Sequence, residues 1–327
     1  MAVGLLFVSL PLIGCGPELG PIFKLKSIDR PTLPETSDPT VVRTGADYYV
    51  YGSNNHLRAP VTKTRDIRRL YTLAQKNAIT YEAMPTKPPW AVYSNQLWAP
   101  TVGAFGSGRW VMYFAANRQA WGTNPNPQCI GRAFATSPIG PFKPEAAPFY
   151  CGGINGTRGA LDPQLFKDPS GVNWLLVALG NTETPIHAIR LHANGDRNGN
   201  PVPLLRRQHS WEYHFIEQPA MVYDASRRNY LLTYSAGKWW EPYYRIGIAR
   251  CSSPTGPCTS DPSGPWVASS NGRTGPGALS FFSDTSGRPL GIFASFRAGG
   301  ESTNGGRSAT IMPLTLNPAV GLGPVVK

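Results

Sequence analysis

Five stretches of this chain repeat one plan: a short β-branched or aromatic strand, a polar or glycine turn, and a second apolar strand. They are DPTVVRTGADYYVYGS from Asp38, APTVGAFGSGRWVMYFAA from Ala99, DPQLFKDPSGVNWLLVALG from Asp162, QPAMVYDASRRNYLLTYSAG from Gln218 and GALSFFSDTSGRPLGIFASF from Gly277. The strand-opening prolines Pro39, Pro100, Pro163 and Pro219 are separated by 61, 63 and 56 residues, and the fifth stretch lacks its proline. A unit of that length suits one four-stranded antiparallel blade of a propeller. CIGRAFATSPIGPF and YRIGIARCSSPTGPC repeat each other as a third strand plus turn. The pattern predicts an all-β chain, a five-bladed β-propeller with four antiparallel strands per blade, over residues 38–327. A β-sandwich with coincidental hairpins would have no reason to space its prolines so evenly.

Composition agrees. Hydrophobic residues make up 41% and charged residues 15%, with Gly 35 and Pro 33, a balance of many short strands and many turns. Arg65 to Asn77 is the best helix candidate, and a weak one. The formal charge is +12, yet the basic residues are scattered, with short pairs such as Arg206-Arg207 and Arg227-Arg228, and no nucleic-acid-binding motif accompanies them. An anionic envelope polymer or membrane surface is therefore the expected partner of the charge, rather than nucleic acid.

The opening MAVGLLFVSLPLIGCG has the length of a signal peptide, without the usual basic residue before its apolar core. LIGC, ending at Cys15, resembles the bacterial lipobox, which predicts a signal over 1–15, a lipidated Cys15 and a linker over 16–37. A plain secretory signal with an incidental cysteine is the alternative, and either places the protein outside the cytoplasm. Removing Cys15 from the five cysteines leaves Cys129, Cys151, Cys251 and Cys258. Export permits disulfides, and four cysteines allow three connectivities. The local pairs Cys129–Cys151 and Cys251–Cys258 are favoured; without CxxC spacing or a neighbouring histidine, a zinc site is not.

Glu217, Gln218 and Pro219 head a strand that otherwise reads as fully buried, and a buried charge needs a partner or a job. Proline is tolerated at the first residue of a strand and extends the residue before it. The strand heads of units 1, 3 and 4 would deliver Asp38, Asp162 and Glu217 to equivalent positions at one mouth of a central channel. Trp98 precedes Ala99 in unit 2; it can stack on a bound ligand or simply pack between blades. Trp239 and Trp240 are further stacking candidates, and Arg297 is a candidate ligand-binding residue. Asp168 in DPSG reads as an ordinary turn residue. Glu212 is a second acid candidate without the strand-opening position, and the five histidines form no metal spacing.

From Asp38 to Phe296 the residues resemble glycoside hydrolase family 43, the five-bladed arabinofuranosidases, arabinanases and xylosidases. SDPTVVRTGADYYVYGS resembles that family's opening Asp motif, LWAPTVGAFGSGRWVMYFAA its Trp-Ala-Pro strand, and LDPQLFKDPSG its second Asp motif. IEQPAMVY resembles its Glu-Gly-Pro motif, with Gln218 in place of glycine. The resemblance implies Asp38 as general base, Glu217 as general acid and Asp162 as the residue that tunes the acid's pKa. A neighbouring carboxylate would keep Glu217 protonated, and a better-solvated Asp38 would stay ionised. It also implies inversion, on a polysaccharide or oligosaccharide with arabinofuranosyl or xylosyl linkages; arabinose is favoured because pentofuranosides dominate the family. Many members carry a histidine near an axial ion where this chain has Ala278, so neither calcium nor another cofactor is expected. The chain is expected to work as a monomer. A catalytically silent carbohydrate-binding propeller is the alternative, kept open by Gln218 and Ala278.

Overall fold

Each of the five stretches opens an antiparallel meander. In the first, β1 (Thr40–Thr44), β2 (Asp47–Tyr51), β3 (Pro60–Thr64) and β4 (Thr80–Glu82) pair in sequence order. The second comprises β5 (Trp98–Ala104), β6 (Trp110–Asn117), β7 (Gln128–Ala135) and β8 (Lys143–Pro144). The third runs through β9 (Gly159–Lys167), β10 (Asn173–Gly180), β11 (Ile186–Arg190) and β12 (Val202–Leu205). The fourth is β13 (Ile216–Asp224), β14 (Asn229–Ala236), β15 (Arg245–Cys251) and β16 (Cys258–Ser260). The fifth contains β17 (Arg273–Ser283), β18 (Pro289–Arg297) and β19 (Ser308–Pro313). Two short strands follow, β20 (Ala319–Val320) against β13 and β21 (Val325–Val326) against β1.

This computed structural model describes residues 36–67, 80–120, 127–152, 159–180, 185–270, 272–297, 306–314, 319–320 and 325–326, and no α-helix occurs among them. Cys15, most of the 16–37 linker and most of the Arg65–Asn77 helix candidate lie outside the described residues.

Turn chemistry sets several hairpins. Asp168 and Asp284 each follow the first strand of their unit, and Asp224 ends its own. Each accepts the hydroxyl of the serine two residues on, Ser170, Ser226 or Ser286, at 2.6 Å. Such Asx contacts close a turn locally, without tertiary help. The two disulfides also join near neighbours, Cys129 to Cys151 and Cys251 to Cys258, as the sequence favoured.

Side chains alternate between the faces of a strand, so each unit feeds two cores. In β6, Met112, Phe114 and Ala116 pack with Tyr49 and Tyr51 of unit 1, while Val111, Tyr113 and Ala115 pack with Leu175 and Val177 of unit 3. Leu176 and Ala178 of unit 3 meet Leu232 and Tyr234 of unit 4, and Val222 and Leu231 of unit 4 meet Leu279 and Phe281 of unit 5. Phe282 and Ile292 of unit 5 then meet Tyr48 and Val50 of unit 1. Among the described residues no sheet closes on itself by hydrogen bonds. Units 2 and 3 share one parallel bridge, Gln128 of β7 with Gly159 of β9, and packing links the first strands around the ring: β1 touches β5, β5 touches β9, β9 touches β13, β13 touches β17 and β17 touches β1. Side chains latch some of these first strands together. Thr40 Oγ1 donates to the Pro100 carbonyl at 2.7 Å, and Ser280 Oγ donates to that of Pro39 at 2.8 Å.

Candidate active site

One backbone device recurs at the head of every first strand. Asp38, Ala99, Asp162, Gln218 and Ala278 all adopt left-handed φ values, between 45° and 57°. In units 2 to 5 the register slips there, so that two residues, such as Asp162-Pro163 or Gln218-Pro219, oppose one on the partner strand. That is a β-bulge, which re-aims the side chain it carries. A non-glycine residue in this conformation costs about 1–2 kcal/mol, so the surrounding structure must hold it there.

The bulges correct one expectation. Asp38 and Asp162 occupy equivalent positions, but their counterpart in unit 4 is Gln218. Glu217 lies one residue earlier, level with Trp98 and Leu161 in the strand register. It therefore reaches the site from an ordinary paired position, opposite Ser235.

Asp38 and Asp162 nevertheless meet on Gln218, and Glu217 lies near enough for its charge to act on Asp162. Asp38 accepts the Ser53 hydroxyl on Oδ2 and the Gln218 side-chain Nε2 on Oδ1, the latter at 2.9 Å. Asp162 accepts the same Nε2 on Oδ1 at 2.9 Å and the Gln218 backbone N–H on Oδ2 at 3.1 Å. Glu217 Oε1 accepts the Tyr244 hydroxyl at 2.8 Å. Ser53 Oγ also accepts the Ala99 N–H at 2.8 Å, so one hydroxyl ties the Asp38 carboxylate to the bulge of unit 2. Arg307 completes the group. Its guanidinium donates to the carbonyls of Trp239, Gly275 and Ala294 at 2.9, 2.7 and 2.8 Å and lies against the rings of Tyr244 and Phe296.

Burial dominates the electrostatics. It drives the Asp162 pKa well above the ordinary aspartate value, and the charges of Glu217 and Asp38 add to the rise, against the Gln218 N–H. Asp38 is also raised by burial, opposed by the Ser53 hydroxyl and the Arg307 charge. Asp38 is more exposed than Asp162, but fixed donors rather than bulk water support its ionised form. Burial and the nearby Glu217 push the Tyr244 phenol well up, so it stays neutral and donates.

The remaining candidates divide by location. Trp98 is half-buried and packs against the core between units 2 and 3. Trp239 and Trp240 are 52% and 43% exposed and meet edge to face at 5.5 Å, with the Trp239 carbonyl on Arg307. Arg297 ends β18, and its side chain lies outside the described residues. Glu212 is buried and engaged elsewhere, accepting the His209 N–H at 2.9 Å and the Tyr234 hydroxyl. Ala278 has only a methyl group, and its N–H donates to Ser235 Oγ at 2.8 Å. A metal ligated at that position does not fit this residue. Among the described residues no group of three or more His, Cys, Asp or Glu could hold a metal ion.

Sequence reasoning missed Gln218, Ser53, Tyr244 and Arg307 as parts of the site. A signal existed for Gln218, since aligning DP, AP, DP and QP on their prolines puts it level with the two aspartates. Ser53 and Ser235, near the ends of similar second strands, are an equally readable pair. Tyr244 and Arg307 carry no local signal.

The family model described as glycosyl hydrolases family 43 matches residues 28–319. An extracellular endo-α-(1→5)-L-arabinanase of Thermotoga petrophila is 29% identical over 247 residues, covering 67% of this chain and 50% of that protein. A β-D-galactofuranosidase of Aspergillus niger is 28% identical over 193 residues, covering 54% of this chain and 49% of that protein. The chain thus spans about half the length of these curated relatives. Among solved structures, an α-L-arabinofuranosidase from Lactobacillus brevis matches with a TM-score of 0.71 at 19% identity, over 88% of this chain and 92% of that one. At that identity the likeness shows the fold alone.

Proposed function

The chain belongs to glycosyl hydrolases family 43, and from that premise we propose that it is an exported glycosidase that cleaves arabinofuranosyl linkages of a polysaccharide with inversion. In this reading the five meanders are five blades, and their first strands surround a central channel. The observation that carries it is the meeting of Asp38 and Asp162 on the Gln218 side chain, with the Glu217 charge near enough to raise Asp162, three carboxylates from three separate units.

Asp38 is the general base. It takes a proton from a water molecule as the water oxygen bonds to the anomeric carbon. Glu217 is the general acid: it gives its proton to the glycosidic oxygen as the bond from carbon to that oxygen breaks. Inversion requires the two carboxyl groups about 6.5–9.5 Å apart, leaving room for the water. Asp162 faces both and tunes the acid. Tyr244 orients Glu217 through its 2.8 Å bond, and Arg307 offsets the gathered negative charge. Trp239 and Trp240, exposed beside that arginine, offer ring faces to a sugar chain. No step passes through a metal, and the catalytic unit works as a monomer. Arabinose is chosen over xylose because the T. petrophila relative is an arabinanase. Two disulfides and that relative's extracellular setting support export, with Cys15 as the lipid anchor.

A second reading, a carbohydrate-binding protein without turnover, draws on Gln218, whose side chain lies between Asp38 and Asp162. One experiment separates the two. Sugar release is measured from aryl pentosides, arabinan, xylan and a galactofuranose polymer, with the natural protein and with Glu217→Gln. Loss of general-acid catalysis should slow release by about 10²–10⁴-fold. Saturable binding without release in either protein would establish the second reading.

A further inference from the structure

Gln218 has no counterpart among the other four bulge residues. Ala99 and Ala278 carry methyl groups there, while Asp38 and Asp162 carry the acceptors to which Gln218 donates. A carboxamide nitrogen has two hydrogens, and here both are used, one on Asp38 and one on Asp162, each at 2.9 Å. The backbone N–H of the same residue holds the other oxygen of Asp162 at 3.1 Å. Gln218 therefore bridges carboxylates 180 and 56 residues away in sequence.

Those oxygens are the acceptors that a hydrolysed sugar must use. The attacking water has to donate to Asp38, and ring hydroxyls are the natural donors to Asp162. The carboxamide supplies equivalent donors from within the chain, so sugar and side chain compete for one set of acceptors. A site that is competent only when its own side chain has moved binds with an affinity reduced by the competent fraction.

We propose that Gln218 is a specificity-determining residue that occupies the sugar seat in the free protein, so that a glycoside is bound only by displacing its carboxamide from Asp38 and Asp162. The proposal rests on the hydrolase reading for its ligand class. Glycine would take the same left-handed backbone without steric cost and would leave the seat open.

The test is calorimetric titration with arabinotriose and xylotriose. Glu217→Gln, which suppresses turnover, is compared with Glu217→Gln/Gln218→Gly and Glu217→Gln/Gln218→Ala, each checked for folding by circular dichroism. Removal of two charge-assisted hydrogen bonds that the sugar must break should tighten binding by about tenfold or more in both double variants. With Glu217 restored, Gln218→Gly should lower KM more than it changes kcat. Unchanged or weaker binding in both double variants overturns the proposal, as does the absence of any binding. Failure of the hydrolase reading looks different: no sugar release by the natural protein, whatever the affinities do.

Discussion

Asp162→Asn should stabilise this protein while impairing its activity. Asp162 is only 4% exposed, and its Oδ1 shares the Gln218 nitrogen with Asp38 Oδ1, each 2.9 Å from it. Two charges about 5–6 Å apart repel by about 3 kcal/mol at an effective dielectric constant of about 20, and Glu217 adds to that. Proton uptake caps the penalty: at about pH 7, some three units above the unfolded aspartate pKa, it cannot exceed about 4 kcal/mol. Asparagine fills the same volume but gives up one acceptor toward Gln218, costing about 1–2 kcal/mol. The net gain is about 1–3 kcal/mol, or about 2–6 °C in Tm. The pKa of Asp162 is raised on folding, so its contribution to stability is intact below the unfolded pKa and is lost as pH rises through the folded value. The advantage of asparagine should accordingly be present at about pH 7 and gone by about pH 3.5. Calorimetric melts across that range decide it. A lower Tm for Asp162→Asn at neutral pH would refute the account of Asp162 as a carboxylate held in place against its own charge.

Three more outcomes follow from the same contacts. Tyr244→Phe removes the 2.8 Å bond to Glu217, and kcat/KM should fall by about 10–100-fold, measured on whichever aryl glycoside the natural protein cleaves. Ser53→Ala removes a donor that lowers the Asp38 pKa, so the acidic limb of the pH–rate profile should move to higher pH; the Ala99 N–H also loses its acceptor, at about 1 kcal/mol of stability in urea unfolding. The two disulfides close loops with sequence separations of 22 and 7, which in the chain-entropy model contribute about 3 and about 2 kcal/mol. Replacing both cysteines of the 129–151 pair by serine should therefore lower Tm more than the same change at 251–258.

Much was legible from the chain alone because it is local. Hairpin strands follow from apolar runs broken by turn residues, and Asp168 closes its turn through a serine two residues away. The cysteine pairs are near neighbours, and the even spacing of four prolines exposed the repeat. Asp38 and Asp162 could be singled out because the same proline follows the same left-handed residue in units 1 to 4. The shared proline also misled, since it made Glu217 look like the third member of that series when the bulge position belongs to Gln218.

Only the tertiary structure decided what these side chains meet. Nothing near Gln218 in sequence points to Asp38, yet the fold brings the two to 2.9 Å. Arg307 acts on Asp38 and Glu217 because three backbone carbonyls from other segments hold its guanidinium in place. The proton affinities likewise depend on how much water packing removes and which charges remain within a few ångströms. Residue types and their spacing can nominate the carboxylates. Desolvation and long-range contact, which exist only after the units have packed together, determine that Asp162 carries the electrostatic strain and that the Gln218 carboxamide stands between Asp38 and Asp162.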